Sequence, residues 1–272
     1  MAVDSSLFAV DLPAGTYAKG DVVKLGCISG PSVVRSGRGR AILKRMLGGV
    51  LAYVSGNTTF WRIHVKNSDW VDDAAMIAAD MTAQTFLDQH SGATRLGNND
   101  DLTPNSAWDV TAECLLGATT TVANSLYCLI DIDYPEVSAI TDPDKLVGVP
   151  ASIDYDITGA TINALGSMTT ATWEVVNVDY FKAGWQYALQ EISIFSSQGG
   201  NPMGFVALSN ASGMGGLSRI IPVSAQPSNI RQTIEYATIL VKGPMDVKTM
   251  LFAGSSGTAD IYMVHDFVKR KL

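Results

Sequence analysis

The stretch SLYCLIDIDY, at residues 125–134, shows the pattern that decides the fold class. Its apolar residues recur at a spacing of two, so on a β-strand they share one face: Leu126, Cys128, Ile130 and Ile132. Asp131 and Asp133 then fall together on the opposite face, about 7 Å apart. The simplest interpretation is a strand with one face toward a core and the acidic face toward solvent.

The same rhythm continues on both sides of this stretch. Short runs rich in Val, Ile and aromatic residues are separated by Gly, Asn and Ser, as in LFAVDL (7–12), TTFWRIHVK (58–66), YALQEISIFS (187–196) and ADIYMVHDFV (259–268). Strands at a spacing of about eight to twelve residues are typical of β-sandwiches and jelly rolls. The sequence therefore predicts a mainly β protein built of two β-sandwich or jelly-roll-like halves.

A connector divides the two halves. PEVSAITDPDKLVGVPASIDYD, residues 135–156, is rich in turn-forming Pro, Gly and Asp. We place the boundary near residue 145, which gives an N-terminal β-sandwich with a helix at 1–145 and a C-terminal β-sandwich at 146–272. Such a length, 272 residues, suits one large or two medium domains.

One segment departs from the β pattern and predicts an α-helix over residues 69–90. In DWVDDAAMIAADMTAQTFLDQH, Asp69 is a suitable N-cap and two more aspartates lie in the first turn, where the helix dipole favours anions. Ala75, Met76, Ala79 and Phe86 follow at roughly helical spacing.

Composition limits the classes of protein that the chain can belong to. Only 17 % of residues are charged, against about 25 % in typical soluble domains, which favours a chain that buries surface against other subunits. The sequence contains no apolar run of eighteen residues, so we expect no membrane span, and its first residues do not resemble a secretory signal. Cys27, Cys114 and Cys128 lie among apolar or small residues and are expected to be buried thiols.

The sequence offers little for catalysis. Its three histidines lack a second His or Cys at metal-ligand spacing, and neither a nucleophile elbow nor a nucleotide-binding glycine motif is present. We expect no enzymatic activity and no cofactor. Asp131 and Asp133 could hold Ca²⁺, although the usual calcium-loop motif is missing.

A basic patch stands out in a chain of net charge -7. It lies in VVRSGRGRAILKR, residues 33–45, and consists of Arg35, Arg38, Arg40, Lys44 and Arg45. The lack of interleaved aromatic residues and of a recognition helix argues against nucleic acid as a partner. We expect the patch to contact acidic loops of a neighbouring copy, with Asp100, Asp101, Asp142 and Asp144 as the candidate carboxylates. An ordinary solvated surface is the simpler alternative.

Three segments of the first half resemble bacteriophage virion proteins: AGTYAKGDVVKLG (14–26), SGRGRAILKRMLGG (36–49) and TTFWRIHVKNSDWVDDAAM (58–76). The resemblance implies a β-sandwich capsid or head-decoration subunit that assembles with its own copies and other virion proteins. Its expected location is the virion, and the three buried thiols favour assembly in the reducing host cytoplasm. The length and two β halves are similar to those of double jelly-roll capsid proteins of tailless icosahedral phages.

A different class of function also fits the pattern. A carbohydrate-binding β-sandwich of a fibre or spike would use exposed tryptophans as sugar platforms. The chain has five tryptophans for this role: Trp61, Trp70, Trp108, Trp173 and Trp185. Two or more of them exposed on one face would favour this alternative.

Overall fold

The computed structural model describes most of the chain and is mainly β. The described residues are 3–51, 60–70, 75–80, 101–134, 149–181, 184–196, 202–209, 218–224, 232–233, 239–242 and 245–271. They form two compact units. The N-terminal unit contains Val3–Glu136 and Ala164–Ala171, and the C-terminal unit contains Val137–Asn163, Thr172–Leu272 and the first two residues.

The N-terminal unit contains eleven strands within its described residues. They are β1 (Val3–Leu12), β2 (Gly15–Tyr17), β3 (Val22–Lys24), β4 (Gly26–Ser29), β5 (Ala41–Leu51), β6 (Phe60–Asn67), β7 (Ala75–Asp80), β8 (Asp101–Leu102), β9 (Trp108–Leu116), β10 (Ala118–Thr120) and β11 (Asn124–Asp133). One sheet has the order β4-β1-β11-β5-β8, a second has the order β3-β9-β6-β7, and β2 and β10 form a small separate pair. The pairs are nested along the chain: β1 with β11, β3 with β9, β5 with β8, and β6 with β7.

The C-terminal unit repeats this nesting. Its strands are β12 (Val149–Ala164), β13 (Glu174–Phe181), β14 (Trp185–Ser196), β15 (Met203–Ser209), β16 (Ser218–Ser224), β17 (Gln232–Thr233), β18 (Ile239–Lys242), β19 (Met245–Ala253) and β20 (Gly257–Lys271). β12 pairs with β20, β13 with β19, β14 with both β17 and β18, and β15 with β16. The strands form one continuous sheet because β12 lies between β19 and β20.

Alternation of apolar and polar residues explains how β6 and β9 form one side of a core. Trp61, Ile63 and Val65 of β6 are buried, while the residues between them face outward. β9 shows the same alternation, with every second residue from Trp108 to Cys114 buried. In the C-terminal unit, the equivalent core contains Ile192, Leu251 and Phe267, among others from six strands.

β11 is buried on both faces, which corrects one expectation from the sequence. The predicted strand and its apolar face are present, but all ten residues of β11 are buried, including Asp131 and Asp133. The acidic face is therefore not solvated. The neighbours β1 and β5 cover both edges of β11, and the burial of all ten residues means that both of its side-chain faces are covered as well.

The predicted helix over residues 69–90 is wrong within the described residues. Ser68–Trp70 form a turn and Ala75–Asp80 form β7, which pairs antiparallel with β6 from Phe60 to Val65. An Ala-rich apolar run of six residues is compatible with either a helix or a strand, and here cross-strand hydrogen bonding outweighs helix propensity. Residues 71–74 and 81–90 lie outside the described residues.

The boundary near residue 145 also lies outside the described residues. One segment on its C-terminal side, Ala164–Ala171, belongs to the N-terminal unit. The carboxylate of Asp11 holds this segment by accepting hydrogen bonds from the backbone amides of Met168 (2.8 Å) and Thr169 (3.0 Å), and from the Thr169 hydroxyl. Met168 is fully buried, so the segment is anchored by both polar and apolar contacts.

Candidate functional site

The first half of the basic stretch is fixed to the N-terminal unit by its backbone. Val34 donates to the carbonyl of Ser106 and accepts from the amide of Asn105, at 2.9 and 2.8 Å. Arg35 continues this attachment: its amide donates to the Tyr134 hydroxyl at 2.9 Å. These bonds hold residues 32–35 in one conformation before the chain enters the glycine-rich turn.

Arg35 forms an ion pair within its own chain. Its guanidinium Nε lies 2.5 Å from the carboxylate of Asp4, which is completely buried. A buried carboxylate is costly unless it is paired and hydrogen-bonded, so Arg35 compensates the charge of Asp4. This arginine is thus part of the structure that positions the turn.

Arg45, on β5, forms a second ion pair of this kind, with Asp131 of the central strand β11. Its Nε and one terminal nitrogen both lie 2.7 Å from one oxygen of Asp131, and the Ser5 hydroxyl donates to the other oxygen at 2.7 Å. The three side chains share one row of the sheet, because Asp131 is directly opposite both Ser5 and Arg45. A register shift in β5 next to Arg45 brings it into that row.

The remaining basic residues lie on and after a turn. Gly37 and Gly39 have φ values of 71° and 73°, in the left-handed region that glycine adopts without strain. Arg38 between them is half-buried and Arg40 is exposed. Lys44 lies on β5. Contact of these residues with a neighbouring copy stays a prediction.

Of the four predicted acidic partners, Asp101 lies within the described residues. Asp101 begins β8, where it pairs with Ile42 of β5. Asp100, Asp142 and Asp144 lie outside the described residues. The proximity of Asp101 to the end of the basic stretch is therefore a contact of backbone strands within one chain.

Asp131 and Asp133 do not form an open cation site. Asp131 is bound by Arg45 and Ser5, and both carboxylates are buried. No group of three or more His, Cys, Asp or Glu residues suited to a metal ion occurs among the described residues. The arginine already supplies the positive charge that Ca²⁺ would supply.

None of the five tryptophans is exposed. Trp61 and Trp108 are buried, while Trp70, Trp173 and Trp185 are half-buried. Trp70 packs edge-to-face on Trp108 with ring centroids 5.7 Å apart, and the Nζ of Lys269 lies 5.2 Å from the centre of the Trp185 ring. The observation that would have favoured a sugar platform is absent from these tryptophans.

The cysteine thiols and the carboxylate of Asp69 have structural roles. The three cysteines are free; Cys114 and Cys128 are buried, as predicted, whereas Cys27 is half-buried. Burial raises the pKa of the Cys128 thiol, and the nearby Asp131 raises it further. Burial also acts to raise the pKa of Asp69, but hydrogen bonds from Thr103 outweigh it and the pKa is lowered.

A charged sheet face was missed by the reasoning from sequence. The outward face of the β3-β9-β6-β7 sheet carries a basic column on β6 and an acidic column on β9: Arg62, His64 and Lys66 beside Asp109 and Glu113. On β3, Lys24 pairs with Asp109 at 2.9 Å, and His64 lies 3.4 Å from Glu113. The signal in the sequence was the charged half of the alternation in WRIHVK and WDVTAE.

Comparisons with known proteins gave structural matches only. No protein family model matches the sequence, and no curated protein matches it. Among solved structures, the chain is similar to the PBSX exported protein XepA, with 8 % identity, a TM-score of 0.23, and coverage of 95 % of this chain and 86 % of that one.

Two plant virus particles give similar values. For the cowpea mosaic virus top component, identity is 10 %, the TM-score is 0.27, and 100 % of this chain and 89 % of that chain are covered. For broad bean stain virus, identity is 7 %, the TM-score is 0.26, and coverage is 100 % and 90 %. Similarity at this level says nothing about the function of this chain.

Proposed function

We propose that this chain is a structural subunit of a phage or virus particle, which tiles or decorates a shell by contacts between copies. The observation that carries the proposal is the nested strand order, which occurs twice. In each unit the first strand pairs with the last and the remaining pairs follow inward, as in a long antiparallel hairpin. Eight strands in this order form a jelly roll, an architecture of viral capsid domains.

The eight strands can be followed in each unit. In the N-terminal unit they are β1, β3, β5, β6, β7, β8, β9 and β11, and in the C-terminal unit β12, β13, β14, β15, β16, β17 with β18, β19 and β20. Two jelly rolls in tandem support the narrower proposal of a double jelly-roll capsid or capsid-decorating protein. Its location would be the virion, after assembly in the host cytoplasm.

We also propose that the chain is not an enzyme. Asp131 and Asp133, the carboxylates that the sequence offers as a cation site, are buried in the core, and Asp131 is bound by Arg45 and Ser5. We expect this buried ion pair to help fix the register of β5 and β11. No helix within the described residues is both long and apolar enough to cross a membrane.

Jelly rolls also occur in lectins, so the fold is equally compatible with the carbohydrate-binding alternative. A sugar platform needs an exposed aromatic ring. The tryptophans are half-buried or buried, and the ring of Trp185 is already covered in part by Lys269. These contacts argue against sugar binding through the tryptophans.

The test is the mass of the purified full-length chain by light scattering, at low salt and at about 0.5 M salt, where surface charges are screened. We expect a defined oligomer or particle at low salt that loosens at high salt. A monomer at every salt and protein concentration would overturn the proposal. A glycan panel run on the same sample tests the alternative, because a sugar-binding module would bind while remaining monomeric.

A further inference from the structure

The outward face of the β3-β9-β6-β7 sheet has charges in columns along the strands. On β6, Arg62, His64 and Lys66 are successive outward residues, while Ile63 and Val65 between them are fully buried. On β9 the outward residues include Asp109 and Glu113. The basic column and the acidic column are neighbours, so this face differs from a randomly mixed surface.

The two columns match row by row. In the antiparallel register, Arg62 is directly opposite Glu113 and Lys66 is directly opposite Asp109, with His64 and Thr111 between these rows. Opposite residues have Cβ atoms about 5 Å apart. Each row therefore places a basic and an acidic side chain at the same height along the strands.

Such a face is complementary to itself. A two-fold axis parallel to the strands and midway between β6 and β9 places β9 of one copy over β6 of the other, without changing the height of any row. Arg62 of each copy then faces Glu113 of the other, and Lys66 faces Asp109. Sheets packed face to face lie about 10 Å apart, which long side chains can span. The interface is isologous, as in most symmetric dimers.

We infer that this face binds the same face of a second copy, through the Arg62–Glu113 and Lys66–Asp109 pairs; this inference rests on the proposed assembly function. Arg62 and Lys66 have no carboxylate partner in the part of the chain that the structure describes. The existing Lys24–Asp109 pair is largely exposed, with 74 % of the Lys24 side chain accessible, so it does not prevent Asp109 from accepting a second cation.

The acidic column explains why a second copy fits better than a polyanion. A nucleic acid or sulfated sugar over this face would meet Asp109 and Glu113 beside the basic column. The chain as a whole has net charge -7, so non-specific attraction between copies is unfavourable and a matched surface is required. Charge complementarity of this kind sets partner and register more than raw affinity.

Charge reversal tests the inference on the full-length chain. Arg62→Glu and Glu113→Arg alone place like charges opposite each other, and each should raise the concentration for half-association at least about tenfold. In an equimolar mixture of the two variants, the glutamate introduced at position 62 of one copy faces the arginine introduced at position 113 of the other. The unchanged Glu113 of the first copy faces the unchanged Arg62 of the second, so both contacts bring opposite charges together. The mixture should therefore associate within about threefold of wild type. The exposed Lys271→Glu, on the C-terminal unit, is the control with the same change in net charge as Arg62→Glu.

Three outcomes would overturn the inference. If both single variants associate like wild type while wild type itself assembles, copies meet through another face and the proposed function still stands. If the single variants lose association and their mixture does not recover it, the pairs do not cross the interface. If wild type stays monomeric and Arg62→Glu only weakens binding to heparin, the face binds polyanions and the assembly function fails as well.

Discussion

Replacing Arg45 with Met should expose the energetic role of the buried ion pair in β11. The substitution removes the cation that lies 2.7 Å from Asp131 and leaves that buried carboxylate beside the neutral Ser5 hydroxyl. Removing one partner of a buried pair costs about 3–5 kcal/mol, because the lost contact between opposite charges is not replaced by solvent. We therefore expect Arg45→Met to destabilise the N-terminal unit by that amount.

A second background separates the charge effect from lost packing. In an Asp131→Asn protein, the same Arg45→Met change removes hydrogen bonds to a neutral amide and should cost only about 1–2 kcal/mol. The control is Lys24→Met, which removes the solvent-exposed pair with Asp109 and should cost about 0–1 kcal/mol. Hydrogen exchange of β11 peptides against urea, read by mass spectrometry, gives the free energy of opening in each protein.

Equal costs in the two backgrounds would contradict this prediction, since the stability of β11 would then not depend on the Arg45–Asp131 ion pair. A cost below about 1 kcal/mol for Arg45→Met in the wild-type background would also contradict it, because breaking a buried ion pair costs several times more. Either result would mean that the Arg45–Asp131 ion pair contributes little to the stability of the N-terminal unit.

Three further predictions concern stability and reactivity. Burial lowers the pKa of His265 from 6.5 to about 4, against the opposing effect of adjacent Asp266. The contribution of the neutral, buried ring to the free energy of unfolding is therefore complete above pH 6.5 and is lost as the pH falls toward 4, because the unfolded chain binds the proton first. The loss is about 3 kcal/mol, and His265→Phe should flatten the difference in urea unfolding between pH 7 and pH 4.5. Gly166→Ala should lower the melting temperature more than Gly159→Ala: both have positive φ, but only at position 166 would the new Cβ collide with the Cβ of Ala123. A thiol reagent at pH 8 should label half-buried Cys27 in the native protein well before buried Cys114 and Cys128.

The sequence predicted the β class because periodicity of two is a local property. The alternation in SLYCLIDIDY and TTFWRIHVK marks which residues share a face, and the structure confirms strands there. The alternation does not show whether one side-chain face of a strand or both of them are buried. Asp131 looked like a solvent residue because its cation, Arg45, is far away along the chain and meets it only through the pairing of β5 with β11.

The helix prediction failed for a related physical reason. Asp69 has the properties of an N-cap, yet its carboxylate accepts hydrogen bonds from the backbone and hydroxyl of Thr103, at 2.7 and 2.6 Å, and so stabilises a turn. Residues 75–80 then pair with β6. Local propensity cannot compete with a ladder of backbone hydrogen bonds that the tertiary fold provides.

The basic stretch shows the same limit for the candidate site. Its concentration of charge is evident from the sequence, but the sequence does not show which arginines form buried ion pairs and which lie on the turn. Arg35 and Arg45 bind buried aspartates, whereas Arg38 and Arg40 lie at a turn that these contacts hold in place. The charged columns of β6 and β9 are evident only when the register places their rows side by side.

Whether this chain assembles can be seen by electron microscopy of the purified full-length protein at low salt and at high protein concentration. We expect closed particles or symmetric oligomers in which each subunit contributes two β-sandwich domains. Uniformly monomeric particles, with no assembly at any concentration, would contradict it.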